Sequence, residues 1–161
     1  MEKHPSSFLR LDLMPARVSH FKIARATRTK RQKPRVLVVE DQLFSRKLLL
    51  QVLSHDYQVD AAPDARTGIL LYLENAPDIV FLDIELTDES GHSLARAIKT
   101  LDPDSYIIMV TANNSVEDVA LAKSNKVDGF IVKPYSKSKI FEAIEKFEAS
   151  GPSSPPKGNA P

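Results

Sequence analysis

With 161 residues, the chain has room for one domain of the usual size, about 150 residues, plus tails. A content of 42% hydrophobic and 27% charged residues suits a globule with a core of its own and excludes wholesale disorder. Cysteine is absent, which removes disulfides, thiolate metal sites and cysteine nucleophiles, and no apolar run approaches the roughly 20 residues of a membrane helix.

The net charge of +1 hides a division. Residues 1–35 carry ten Lys or Arg against Glu2 and Asp12, a net +8, whereas the remainder carries twelve against nineteen acids, a net −7. Residues 1–35 are therefore read as a basic, flexible extension, 36–148 as the folded domain, and 149–161 as a disordered Pro/Ser-rich tail too poor in apolar surface to offset its ordering entropy.

Val36-Leu-Val-Val39 is a short β-branched run of the kind found in strands buried on both faces, and it ends in Glu40-Asp41. Apolar residues from Leu43 to Leu53 recur at helical spacing, with Gln42, Ser45, Arg46 and Gln51 on the other side. Tyr57 to Ala61 alternates as a second strand, and Pro63-Asp64 starts a helix with Ile69, Leu70, Leu71 and Leu73 on its core face. The pattern repeats three more times. Strands are expected at Asp78–Asp83, Tyr106–Thr111 and Gly129–Val132, and helices at Gly91–Thr100, Val116–Lys123 and Ser138–Phe147.

Five βα units imply a parallel sheet with helices on both faces, and five are too few for a barrel. The expected fold is α/β, an open doubly wound sheet whose ligand site lies at the carboxyl ends of the strands. Those ends carry Glu40 and Asp41, Asp83, Thr111, and Lys133-Pro134. Three carboxylates on one edge repel each other, and a hard divalent cation with oxygen ligands is the usual remedy, Mg²⁺ fitting best. His4, His20, His55 and His92 are too scattered for zinc. A lysine and a hydroxyl facing the carboxylates supply donors for phosphoryl oxygens, so the site suits phosphoryl transfer.

In this succession of motifs, Val36 to Phe147, about 70% of the chain, resembles the receiver domain of two-component response regulators. The resemblance implies the flavodoxin-like (βα)5 fold with strand order 2-1-3-4-5, for which a receiver is itself the standard illustration. It further implies that Asp83 is the phosphoacceptor and that Glu40, Asp41, Asp83 and the backbone carbonyl of Glu85 hold Mg²⁺. Lys133 would pair with the phosphoryl group and Thr111 would hydrogen-bond it. Phe130, three residues before Lys133, takes the place of the family's switch aromatic, without a tyrosine's hydroxyl. Ala112 leaves an open approach, Lys133-Pro134 matches a Lys-Pro whose peptide bond is often cis, and Gly91 matches the family glycine eight residues after the phosphoacceptor. Two departures stand out. Thr87 replaces a proline common in relatives, which implies a more mobile loop, and the Glu85 side chain is acidic, which bears on metal binding and phosphoaspartate lifetime.

The resemblance implies a stand-alone, cytoplasmic switch that takes a phosphoryl group from a histidine kinase or histidine phosphotransfer protein. It would catalyse its own phosphorylation and dephosphorylation rather than turn over an external substrate. Its output would pass to a partner protein through the face made by Val116–Lys123, the fifth strand and the last helix. Three alternatives stand beside this reading. The chain could act as a phosphate shuttle or sink in a phosphorelay. It could be an anionic-surface or nucleic-acid binder through residues 1–35, which also share the composition of an organelle transit peptide and contain Leu9, Leu11 and Leu13 in a docking-strand alternation. Lastly, Asp83-Ile-Glu-Leu-Thr87 loosely resembles the nucleophile motif of haloacid-dehalogenase-like phosphatases.

Overall fold

A computed structural model describes residues 15–150 apart from Asn114. Five parallel strands form one sheet in the order β2-β1-β3-β4-β5, comprising β1 (Arg35–Val39), β2 (Gln58–Ala62), β3 (Ile79–Asp83), β4 (Ile107–Thr111) and β5 (Gly129–Val132). The expected fold and strand order are those observed. The helices are α1 (Pro15–Ala26), α2 (Leu43–Leu53), α3 (Ala65–Asn75), α4 (Gly91–Leu101), α5 (Val116–Ser124) and α6 (Lys137–Ser150).

Strand periodicity divides the core in two. Val36, Val38, Ile79, Phe81, Ile108 and Val110 face α2 and α6, whereas Leu37, Val39, Val80, Leu82, Ile107 and Met109 face α3, α4 and α5. Neighbouring residues on one strand thus feed opposite faces, which is why the central strands read as unbroken apolar runs. Three helices begin on side-chain caps: Asp64 accepts from Thr67 N, Ser90 from His92 N and Ser115 from Asp118 N. The loop after β3 is fastened by a Glu85–Ser90 bridge and by Asp88, whose carboxylate accepts from Ala65 N and Arg66 N, 3.0 Å each, at the start of α3.

Residues 15–35 depart from the expectation of a flexible extension. They form α1 and a short 3₁₀ turn (Arg28–Lys30) docked along α3. Phe21 is 1% exposed, with its ring centroid 5.6 Å from that of Tyr72. The basic residues meet acids at the amino-terminal edge of the sheet. Arg28 donates to Asp102 Oδ2 at 2.7 Å, Arg25 Nε lies 3.4 Å from Asp102 Oδ1, and the Tyr72 hydroxyl donates to the same carboxylate at 2.7 Å. Burial, then the Asp102 charge, push the Tyr72 hydroxyl well above its usual range and keep it a donor. Arg31 pairs with Asp78 at 3.0 Å and donates to the carbonyls of Asn75 and Ala76, capping the end of α3, while Arg35 pairs with Asp60 at 3.0 Å. The sequence reading missed this because the partners lie 25–79 residues away along the chain. The Leu9–Leu13 alternation and the tail beyond Ser150 lie outside the described residues.

Phe21→Ala is expected to lower the urea-unfolding free energy by about 3 kcal/mol. Ile23→Ala, on the opposite face of α1 and 69% exposed, should cost less than about 0.5 kcal/mol. Equal, small losses would mean that α1 is undocked in solution.

Candidate functional site

Strand register assembles the site. Val39 pairs with Leu82 and Asp83 with Val110, so Glu40, which follows Val39, stands beside Asp83 at the carboxyl edge of the sheet. Thr111 pairs with Val132, which brings Lys133 to the same edge one strand further on. Glu40, Asp83 and Thr111 are buried, and a cavity of about 230 Å³ opens beside them between Asp41, Gln42, Asp83, Glu85, Leu86, Thr87, Ala112 and Lys133.

Lys133 Nζ is the hub. It donates to Glu40 Oε1 at 2.9 Å and to Asp83 Oδ2 at 3.4 Å. It lies equally close, 2.9 Å, to Glu40 Oε2, so the ammonium is shared by both oxygens of that carboxylate. Glu40 Oε1 further accepts from Gln42 N at 3.1 Å, and Asp83 Oδ1 from Glu85 N at 3.0 Å. One ammonium therefore faces two buried carboxylates and the half-exposed Asp41, all three of which present oxygens within 4.8 Å of one another. The donors are hard oxygens, and one ammonium against three carboxylates leaves negative charge uncompensated, so the set fits a divalent cation.

Burial first, then the adjacent Glu40 charge, raise the Asp83 carboxyl from 3.8 to about 7, against the opposing pull of the Glu85 N–H and of Lys133. Burial pulls the Lys133 ammonium down, but the Glu40 hydrogen bond and the Asp83 and Glu40 charges outweigh it and raise it above its usual value.

The other expected residues fall around this centre. Glu85 lines the cavity through its side of the loop, and its N–H holds Asp83. The buried Thr111 hydroxyl is engaged with Asn113, donating to its carbonyl at 2.8 Å and accepting its N–H at 3.0 Å. Ala112 borders the cavity, Phe130 is half-buried against the α3–α5 side of the core, and the Lys133-Pro134 bond is cis. Gly91 is needed for close approach, since a Cβ there would lie 2.1 Å from the Asp83 carbonyl oxygen.

Several residues were missed. Arg46 donates to the carbonyls of Glu40 and Asp41 at 2.9 and 3.3 Å, fixing the acidic turn. Its four-residue spacing from Gln42 on the polar side of α2 was the available signal. Tyr135, buried, donates to Ser45 O at 3.3 Å and ties the segment after Lys133-Pro134 to α2. His92 reaches from α4 to Asp118 on α5 at 3.0 Å, a contact that no local pattern announces.

Known proteins are similar to this chain in sequence and fold. The family model of the response regulator receiver domain matches residues 36–145. The chemotaxis protein CheY of Halobacterium salinarum is 33% identical over 110 residues, covering 68% of this chain and 92% of that protein. The virulence transcriptional regulatory protein PhoP of Salmonella typhimurium is 34% identical over 112 residues, but the chain spans only 50% of its length. Among solved structures, a CheY-like receiver domain from Methanospirillum hungatei superposes with a TM-score of 0.71 at 28% identity, over 73% of this chain and 96% of that one. A chain from the CheX-CheY-BeF3-Mg complex of Borrelia burgdorferi superposes with a TM-score of 0.65 at 28% identity, over 68% of this chain and 85% of that one.

The Asp83 environment has a sign that can be measured. In the cation-free fold Asp83 holds its proton up to about pH 7, whereas the unfolded chain releases it near 3.8, so the group subtracts stability as pH rises through that window. Asp83→Asn, which carries no charge, is expected to raise Tm by several degrees near pH 8, with the gain vanishing toward pH 4. A Tm gain that is equal at both pH values would contradict the repulsion.

Proposed function

Because the chain belongs to the response regulator receiver domain family, we propose that it is a phosphorylation-controlled switch in two-component signalling with Asp83 as the phosphoacceptor. The observation that carries this reading is the buried Glu40–Asp83–Lys133 triad beside Asp41, at the mouth of an open cavity. A phosphohistidine of a histidine kinase or histidine phosphotransfer protein is the donor. An Asp83 carboxylate oxygen attacks phosphorus in line, the phosphorus–nitrogen bond breaks, and the donor imidazole leaves with its electron pair and takes up a proton. The product is a mixed anhydride, the aspartyl phosphate. Ala112, with no side chain beyond Cβ, keeps the donor's approach clear.

Asp83 attacks only as the carboxylate, and its raised pKa leaves much of it protonated near neutrality. Glu40, Asp41, Asp83 and the Glu85 carbonyl would hold Mg²⁺, which when bound supplies positive charge that favours the ionised carboxylate and neutralises phosphoryl oxygens. Lys133, drawn now toward Glu40 and Asp83, is placed to transfer its hydrogen bonds to the incoming group. Thr111 exchanges its Asn113 partner for a phosphoryl oxygen, and Phe130 follows into the space vacated. Output passes to a protein partner through the face of α5, β5 and α6. The chain acts as a single-turnover switch rather than as an enzyme on an external substrate.

The nucleic-acid reading of residues 1–35 weakens. Arg25, Arg28, Arg31 and Arg35 are engaged with Asp102, Asp104, Asp78 and Asp60, so four of the seven basic residues from Lys22 to Arg35 are paired within the chain.

Incubation with acetyl phosphate and Mg²⁺, followed by intact-mass measurement, is expected to give one labile phosphoryl adduct. Chelation or Asp83→Asn should abolish it, and Lys133→Ala should slow its formation by roughly tenfold or more. An adduct that persists in Asp83→Asn would overturn the assignment, and steady turnover of a phosphomonoester would favour a phosphatase instead.

A further inference from the structure

Helix α5 is weakly anchored by apolar contact. Of its nine residues only Ala122 is buried, and Val116 and Leu121 are 86% and 46% exposed. Its attachments to α4 are instead polar and converge on one residue. His92 Nε2 lies 3.0 Å from Asp118 Oδ1, and Asn125 at the end of α5 donates from Nδ2 to the His92 carbonyl at 3.4 Å. Asp118 is itself bound to the start of α5, since its Oδ2 accepts from the Ser115 hydroxyl at 2.9 Å while its N–H donates to Ser115 Oγ at 3.1 Å. His92 and Ser115 together hold the Asp118 carboxyl below its usual range, as expected of a carboxylate fixed by two donors.

The other end of this strut is equally constrained. The His92 ring is buried, with Nδ1 unpartnered, and only the tautomer carrying the proton on Nε2 lets neutral His92 donate to Asp118. Its backbone sits in the capped first turn of α4, one residue beyond Gly91, which is packed against the Asp83 backbone and donates to the Ile84 carbonyl at 2.7 Å. Ser115, meanwhile, lies two residues from Asn113, the partner that engages the Thr111 hydroxyl. A capped turn packed against Asp83 is thus tied, through one imidazole, to the helix that begins just after the Thr111 loop.

We propose that His92 is a positioning residue whose contact with Asp118 latches α5 in the arrangement that keeps the Thr111 hydroxyl on Asn113 and away from Asp83. This inference rests on the phosphoacceptor reading above. For Thr111 to turn toward a phosphoryl group, Asn113 must release it, and a start of α5 held by Asp118 resists that release. The latch therefore biases the unphosphorylated chain toward its resting state. Removing it raises the population in which Thr111 is free, and with it the rate of phosphoryl uptake.

The test is a pair of readings on the full chain and on His92→Leu, Asp118→Asn and His92→Gln. The first is amide hydrogen exchange at Asn113 and over Val116–Ser124, and the second is the rate of adduct formation from acetyl phosphate with Mg²⁺. His92→Leu keeps the buried site apolar and is expected to speed exchange there by roughly fivefold, with β1 and β4 unchanged. It should also speed adduct formation by a similar factor. His92→Gln, whose amide can donate to Asp118, should restore both, and Asp118→Asn should act like His92→Leu. Unchanged exchange, exchange raised throughout the sheet, or raised exchange with an unaltered adduct rate would each overturn the latch. Faster local exchange in a chain that never gains the adduct, even unsubstituted, would support the mechanical contact and overturn the phosphoacceptor reading instead.

Discussion

Two carboxylates, Glu40 and Asp83, are held side by side at the carboxyl edge of a parallel sheet with a single ammonium, Lys133, between them. Neither carboxylate can retreat. Strand register fixes their separation, burial denies them water, and the Glu85 and Gln42 N–H groups bond one oxygen of each. The site consequently stores negative charge that the fold alone does not neutralise, which suits it to a cation, and burial together with the Glu40 charge raises the pKa of Asp83. The rest of the structure serves this arrangement: the doubly wound sheet aligns the strand ends, Arg46 and Tyr135 brace the acidic turn and the segment after Lys133, and Gly91 lets α4 close against Asp83.

At the opposite edge the problem is reversed and solved within the chain. Asp102 is fully buried and Asp78 nearly so, and both are met by arginines from residues 25–35 together with the Tyr72 hydroxyl. The division of charge between arm and body is therefore a folding interaction over residues 15–35. A buried aspartate left without its arginine is costly, on the order of several kcal/mol, so Arg28 and Arg31 contribute to the stability of the fold they dock against. One sheet thus has an edge whose buried acids are each paired with arginine and an edge where a single ammonium faces three carboxylates.

The fold and the centre of the site were legible because both obey local rules. Continuous apolar runs mark buried parallel strands, and a parallel sheet places every residue that follows a strand on one edge, so Glu40, Asp41, Asp83, Thr111 and Lys133 could be grouped before any coordinates. Long-range pairing was not legible. Val18, Phe21 and Ala24 do recur at helical spacing, but the stripe is narrow and set among Lys and Arg, and the Tyr72 ring that Phe21 meets lies in another helix. His92 sits one residue after a recognised glycine, but Asp118, 26 residues on, is brought to it only by the packing of α4 beside α5. Thr111 was recognised, yet the direction of its hydroxyl depends on the loop at Asn113, which no pattern specifies.

The most direct test of the central claim is the dissociation constant for Mg²⁺, measured by calorimetry between about pH 6 and pH 8 on the full chain and on Asp83→Asn. If two repelling buried carboxylates make the site, proton and cation compete for Asp83, and affinity weakens steadily as pH falls through about 7. Asp83→Asn should then bind more weakly and lose most of that pH dependence. Affinity that is independent of pH, or unchanged by Asp83→Asn, would contradict the account.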